Sequence, residues 1–345
     1  MTAGEVQVKN SKQSFISTRK LIGFLIFSVI VFALVGWYGK VEDVITALST
    51  IPWFWIIPTM MALSFLNYVF RYFKWQYYLK RVSVNLNDTD SFGVFLAGFT
   101  LTATPGKIGE AIKGYFIQEI DGTPVAKTMP IVVSERVTDL LAMVILALIG
   151  FTLGINAGDQ LFTVILLGGA ALAGAILLGH SAFYQKILAK MTSFGPLKRF
   201  QDSCDLIEST MTQTLSPKPM LVSTAISVPG WFMECMELWL LLSVLSGAGL
   251  PSLTFASLNL LLSATFVHST ASIIGAVTMS PGGVGTYEIT SVALITYLLG
   301  MGETLASAAT ILIRVVTLWF SIAVGFVALA VITRRIRSKK EAFAA

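Results

Sequence analysis

Two short runs in this 345-residue chain hold the residue types best suited to chemistry. Thr104-Pro105-Gly106-Lys107-Ile108-Gly109 and Ser280-Pro281-Gly282-Gly283-Val284-Gly285 share a Pro-Gly-x-x-Gly pattern, and each follows an apolar stretch. An arginine lies inside a later apolar run in both cases, Arg136 after the first and Arg314 after the second. The first run continues into Glu110 and Lys113, and Arg136 sits within Glu135-Arg136-Val137-Thr138-Asp139. The second continues into Thr286, Tyr287 and Glu288, so the two arms differ in charge. These residues suit ligand binding. Cations and the free N–H groups of helix N-termini attract an anion such as phosphate. Gly106, Gly109, Gly282, Gly283 and Gly285 let backbone and ligand approach closely. If the arms touch, Arg136 and Arg314 have Glu288 and Glu110 as partners, and Arg136 also reaches Asp139, three residues on. The plainer alternative for Glu135, Arg136 and Asp139 is a self-neutralised cluster near a membrane interface.

Covalent chemistry has little to work with. There are two histidines, His180 and His268, and two cysteines, Cys204 and Cys235, without metal or disulfide spacing. No Gly-x-x-x-x-Gly-Lys-Ser/Thr run is present. The expectation is therefore no enzyme, no cofactor and no metal, with any energy drawn from an ion gradient, the membrane potential or the lipid gradient. Glu234 and Glu237, three apart in a span kinked by Pro229-Gly230, are candidates for proton coupling. His268 suits hydrogen-bonded packing. Arg71 and Lys74 suit snorkelling to lipid phosphates better than substrate binding; Arg71 is carried as a candidate head-group contact.

The elements that position these residues are set by composition. Hydrophobic residues make up 55% of the chain and charged residues 12%, against about 25% charged in soluble domains. A water-soluble enzyme is excluded, and the basic excess reports membrane orientation rather than nucleic-acid binding. Apolar runs predict an all-α integral membrane protein with about six full spans and two broken, re-entrant hairpins. The spans are Leu21–Tyr38, Trp53–Leu79, Met129–Phe151, Leu161–Leu178, Pro219–Leu245 and Glu303–Ile332. The hairpins are Phe92–Ile120 and Phe255–Gly300, broken at the two Pro-Gly sites. Lys40–Pro52 reads as an interfacial amphipathic stretch, and Ser181–Lys218 as a cytoplasmic one resting on anionic lipid.

Residues 1–20 form a basic tail, 21–333 one membrane domain and 334–345 a second basic tail. With both termini in the cytoplasm, Lys40 alone lies outside, Arg136 and Arg314 lie within spans, and every other Lys and Arg falls inside. That layout places the two hairpins on opposite routes. The halves, about 53–151 and 219–333, form an inverted repeat of the kind whose interface holds a substrate near the midplane. A Pro-Gly-x-x-Gly run alone would be read as a helix kink; the second copy and the matching arginines favour the repeat.

The Pro105–Lys113, Glu135–Asp139 and Pro281–Glu288 runs together resemble the flippase-like membrane domain of lysyl-phosphatidylglycerol synthases, which also occurs as stand-alone membrane proteins. The resemblance spans about Leu21 to Ile332. It implies translocation of a lipid across the cytoplasmic membrane of a prokaryote, with a phospholipid, a polyprenyl-phosphate glycolipid or a hopanoid as cargo. The synthases' soluble aminoacyl-transfer domain has no counterpart in this chain. The residues implied in binding are Arg71, Pro105, Gly106, Lys107, Gly109, Glu110, Lys113, Glu135, Arg136, Asp139, Pro281, Gly282, Gly283, Gly285, Glu288 and Arg314. The alternatives are a non-transporting partner of a lipid synthase or glycosyltransferase, and an intramembrane lipid-modifying enzyme.

Overall fold

The computed structural model describes residues 18–154, 169 and 203–344. All regular structure among them is helical. α1 (Thr18–Tyr38) ends at Gly39, where the chain bends by 91° into α2 (Val41–Ser49). The corner is held by Lys40, with a left-handed φ of 60°, and by Gly39, where an added Cβ would lie 2.5 Å from that of Ser307. α3 (Trp53–Arg81) is followed by α4 (Asp88–Ala97), which tightens into a 3₁₀ turn over Gly98–Leu101. A second 3₁₀ stretch, Pro105–Ala111, leads into α5 (Ile112–Asp121). Then come α6 (Val125–Gly154), α7 (Cys204–Leu215), α8 (Pro217–Leu245) and α9 (Phe255–Val277). The turn Pro281–Gly283 opens into α10 (Thr286–Ala293), which widens into a π turn over Leu294–Leu298. α11 (Glu303–Arg314), a π turn over Val315–Trp319 and α12 (Phe320–Ala344) complete the described chain.

Among the described residues, five helical runs are long and apolar enough to cross a membrane, or six if α1 and the bent α2 count as one. The burial pattern agrees with a lipid solvent. Ile26, Val29 and Leu34 of α1 and Val327 and Val331 of α12 are exposed, while Lys74, Glu110, Lys113, Glu135 and Asp139 are buried. Hydrocarbon reverses the usual sorting: apolar side chains face out, and charges survive where protein or a wet cavity pairs them. The protein is an all-α multi-pass membrane protein.

Two expectations change in detail. The first broken region has a short leading arm, as its apolar run requires. The second does not: α9 has 23 residues, about 34 Å of helix, and crosses by itself before the break. The span expected at Leu161–Leu178, and most of Ser181–Lys218, lie outside the described residues. The described part of the latter, α7, does not rest its apolar face on lipid. Ile207, Met211 and Leu215 pack on Ala126, Val137 and Leu141 of α6, and the Thr214 and Ser134 hydroxyls lie 2.7 Å apart.

α6 packs closely against α9. A Cβ on Gly150 would meet the Leu262 carbonyl oxygen at 2.5 Å, so only glycine permits this approach. α12 backs the first hairpin, with Gly325 against the Phe99–Thr100 peptide, and α1 backs the second. The two breaks, Pro105–Ala111 and Pro281–Gly283, then meet each other within the bundle.

Candidate functional site

A cavity of about 290 Å³ opens where the breaks meet. α3 contributes Tyr68 and Arg71, the first break Thr102 and Lys107, and α6 Arg136 and Asp139. Trp231 and Glu234 come from α8, His268 and Ser272 from α9, and Gly282, Gly283 and Tyr287 from the second hairpin. Arg314 and Thr317 close the wall. The lining therefore carries four cations, Arg71, Lys107, Arg136 and Arg314, against two carboxylates, Asp139 and Glu234. Its volume is near the lower end for small-molecule sites, the scale of a head group rather than a whole lipid. Beside it, α1 and α10 enclose an apolar groove of about 410 Å³, lined by Val31, Leu34, Ile289 and Val292 and reaching Glu288.

Behind the lining lies a network of paired charges. Glu135 and Asp139 are four apart on α6 and so face the same side. Lys113 Nζ donates to Glu135 at 2.5 Å and lies 4.4 Å from the Trp75 ring centre. Lys74 Nζ donates to Asp139 at 2.5 Å, and Asp139 also accepts from Ser227 at 3.1 Å and Trp231 Nε1 at 2.9 Å. Arg136 meets Asp139 at 3.2 Å and Glu110 at 3.5 Å. Arg71 and Lys74 are thus not snorkelling to lipid phosphates: both are buried, and Lys74 is bonded into the core. Glu135, Arg136 and Asp139 are not neutralised among themselves alone, since Glu135 takes Lys113 of α5 and Asp139 takes Lys74 of α3 and Trp231 of α8.

Each hairpin arginine pairs within its own half, not across as the sequence suggested. Arg136 takes Glu110, and Arg314 takes Glu288 at 2.7 Å; both pairs are 26 residues apart. Glu110 and Glu288 are therefore equivalent, and the arms share their central charge. A two-residue difference in Pro-to-Glu spacing hid this, since aligning on Pro-Gly sets Glu110 opposite Thr286 rather than Glu288. Lys107 and Gly283 occupy the same place in the motif, and both have left-handed backbone, φ 57° and 73°.

The glycines and N–H groups act differently from expectation. At the first break, Lys107 N–H donates to the Thr104 carbonyl and Gly109 N–H to Thr104 Oγ1. At the second, Gly283 N–H donates to the Ser280 carbonyl and Gly285 N–H to Glu288 Oε2 at 2.6 Å. These four donors are spent inside the turns. Gly109 is a packing glycine, since a Cβ there would meet that of Leu101 at 2.6 Å. Pro105 and Pro281 begin the turns, and Gly106 follows Pro105 within the first. Gly275 allows α9 to approach Gly283, with an added Cβ 3.3 Å from its Cα.

Arg71 is poorly satisfied for a buried arginine: Glu110 is 3.9 Å away, Nε has no hydrogen-bond partner among the described residues, and the guanidinium lies over Phe99. Lys107 Nζ lies 5.6 Å from the Trp231 ring centre. His268, expected to be packing, lines the cavity. Its Nδ1 is 2.9 Å from the Tyr287 hydroxyl and its Nε2 3.3 Å from Glu234. Trp231 was not among the candidates and Tyr287 was named only as part of its arm; their signal was proximity to charge, Trp231 one turn before Glu234 and Tyr287 adjacent to Glu288. Glu237 is buried outside the lining.

A family model described as the lysylphosphatidylglycerol synthase TM region matches residues 21–325. A UPF0104 membrane protein of Methanothermobacter thermautotrophicus is 22% identical over 317 residues, covering 84% of this chain and 88% of the relative. A second UPF0104 membrane protein, from Methanocaldococcus jannaschii, is 22% identical over 343 residues, covering 94% and 98%.

Proposed function

Since the chain belongs to the family of lysylphosphatidylglycerol synthase transmembrane regions, and so has a membrane lipid-related role, we propose that it moves a lipid with an anionic or polar head group between leaflets. The observation that carries this reading is the cavity itself. Four cations face two carboxylates in a pocket at the meeting of two broken hairpins, inside a bundle whose outer faces are apolar. A phosphate-bearing head fits that balance. Arg71 and Lys107 are its first contacts, because they have the least internal pairing. The acyl chains stay in hydrocarbon, with the apolar groove between α1 and α10 as the place for one of them.

The two 26-residue Glu–Arg pairs support a repeated pair of gates. In our reading the halves are inverted, both termini are cytoplasmic, and each hairpin closes the cavity toward one face of a prokaryotic cytoplasmic membrane. The charge argument for this orientation is weaker than the sequence suggested. Arg71, Lys74 and Lys113 are buried inside the bundle, so they do not count toward the inner surface. The protein makes and breaks no covalent bond in this scheme.

Purified protein in liposomes carrying a fluorescent phospholipid tests the proposal. Protein-dependent loss of the lipid's protection from an external quencher, with the lipid chemically intact, is the expected result. Covalent change of the lipid would assign an enzyme. With neither change, the protein is a non-transporting partner of a lipid synthase or glycosyltransferase.

A further inference from the structure

Glu237 on α8 is fully buried, and the site described above does not use it. Its Oε1 is 2.8 Å from Ser64 Oγ of α3, and that same Oγ is 3.0 Å from the Val316 carbonyl oxygen. A serine hydroxyl has one hydrogen to donate. Two acceptors at hydrogen-bonding distance from it need a second proton, and a backbone carbonyl supplies none. The carboxyl group can. With the proton on Glu237, the carboxyl donates to Ser64, and Ser64 donates to Val316. The surroundings agree: among the described residues Oε2 has no hydrogen-bond partner and no cation pairs with this group. An ionised carboxyl so placed would be a buried charge without compensation.

The groups facing Glu237 define a route and a lever. On α8, Glu234 lies one turn away and lines the cavity. From α3 come Ser64 and, one turn on, Tyr68; from the π turn comes the Val316 carbonyl. His268 of α9 and, through it, Tyr287 of α10 hold Glu234 on its other side. Arg71 and Lys107 are the cations on the cavity side. Glu234 therefore stands between the cavity and Glu237. When Glu237 loses its proton, Ser64 turns its hydrogen to the carboxylate and the Val316 carbonyl loses that donor. Val316 lies in the π turn directly after Arg314, which holds Glu288 and, at 2.6 Å, the Gly282 carbonyl. A π turn holds an extra residue in a helix and is a common place for functional adjustment.

We propose that Glu237 is a proton-binding site that, through Ser64 and the Val316 carbonyl, links proton uptake to the setting of Arg314 in the cavity wall. The link to transport rests on the translocation reading; the proton site does not. Infrared difference spectra of the reconstituted protein across a pH step should show a protonated-carboxyl carbonyl band that Glu237→Gln removes. Ser64→Ala, which keeps the carboxyl and loses the relay, should retain a shifted band. In liposomes, a one-unit pH difference should change wild-type lipid movement by up to about tenfold, the bias available to a one-proton step. Both variants should lose that response. Spectra unchanged by Glu237→Gln, or a gradient response that survives it, would overturn the proposal. The infrared measurement needs no transport, so an inactive transport assay would count against translocation alone.

Discussion

Glu110 lies 3.5 to 3.9 Å from three cations, Arg136, Lys113 and Arg71, whereas Glu288 meets Arg314 at 2.7 Å and also accepts from the N–H of Gly285. The two carboxylates hold equivalent places in the two hairpins and make different kinds of contact. Around Glu288 the pair is closed: Arg314 adds a bond to the Gly282 carbonyl and sits over the Tyr287 ring. Around Glu110 the charge is divided among cations that also have other partners, Lys113 with Glu135 and Arg136 with Asp139. A divided carboxylate can surrender one cation to an incoming phosphate without leaving an isolated charge. A closed pair cannot, because breaking a buried ion pair strands its partner in a low dielectric. In the translocation reading, the ion pairs of the first hairpin are the ones a phosphate would exchange with, and the Glu288–Arg314 pair of the second is the one that stays made.

Substitutions test this contrast. Arg314→Ala should have the largest effect on stability, about 3–5 kcal/mol in detergent unfolding, because Glu288 is left buried and alone. A loss under about 1 kcal/mol would show that the second pair is not closed. Glu110→Gln should cost less, about 1–3 kcal/mol, since Lys113 and Arg136 retain carboxylate partners. Liposome transport should nonetheless fall to background in Glu110→Gln and in Arg136→Ala, with membrane insertion unchanged. Normal transport by both would remove the first hairpin from the site while leaving the fold intact.

Smaller effects separate backbone from charge at the matched positions. Gly283→Ala forces a Cβ into left-handed backbone and should destabilise by roughly 1–2 kcal/mol. Lys107→Gly should relieve backbone strain there by up to about 1 kcal/mol while weakening phospholipid binding, read by fluorescent-lipid titration. Unchanged lipid affinity in Lys107→Gly would remove that lysine from the head-group contacts.

Much of this was legible in the chain. The repeated Pro-Gly-x-x-Gly runs and the arginines beyond them located both breaks, because few residues interrupt a helix in hydrocarbon and fewer carry charge there. Arg136–Asp139 followed from helical periodicity. The equivalence of Glu110 and Glu288 did not, because a two-residue change in turn length shifts a linear alignment while leaving the Glu–Arg contact intact. Lys74 was misread because a lysine near a helix end looks alike whether its head reaches lipid phosphate or an aspartate on a neighbouring helix.

Composition and periodicity determined by themselves that this protein is a helical bundle in a membrane, with two interrupted hairpins and charges that need shelter. That follows from local physics: hydrocarbon demands internally bonded backbone, and proline and glycine act where they stand. Only the tertiary structure decided which charges pair between helices, that His268 and Tyr287 join Glu234, and that one serine hydrogen lies between Glu237 and Val316. Those contacts join residues from different helices, some of them more than 150 positions apart. Their geometry depends on how glycine-lined helices close on one another, which spacing along the chain does not encode.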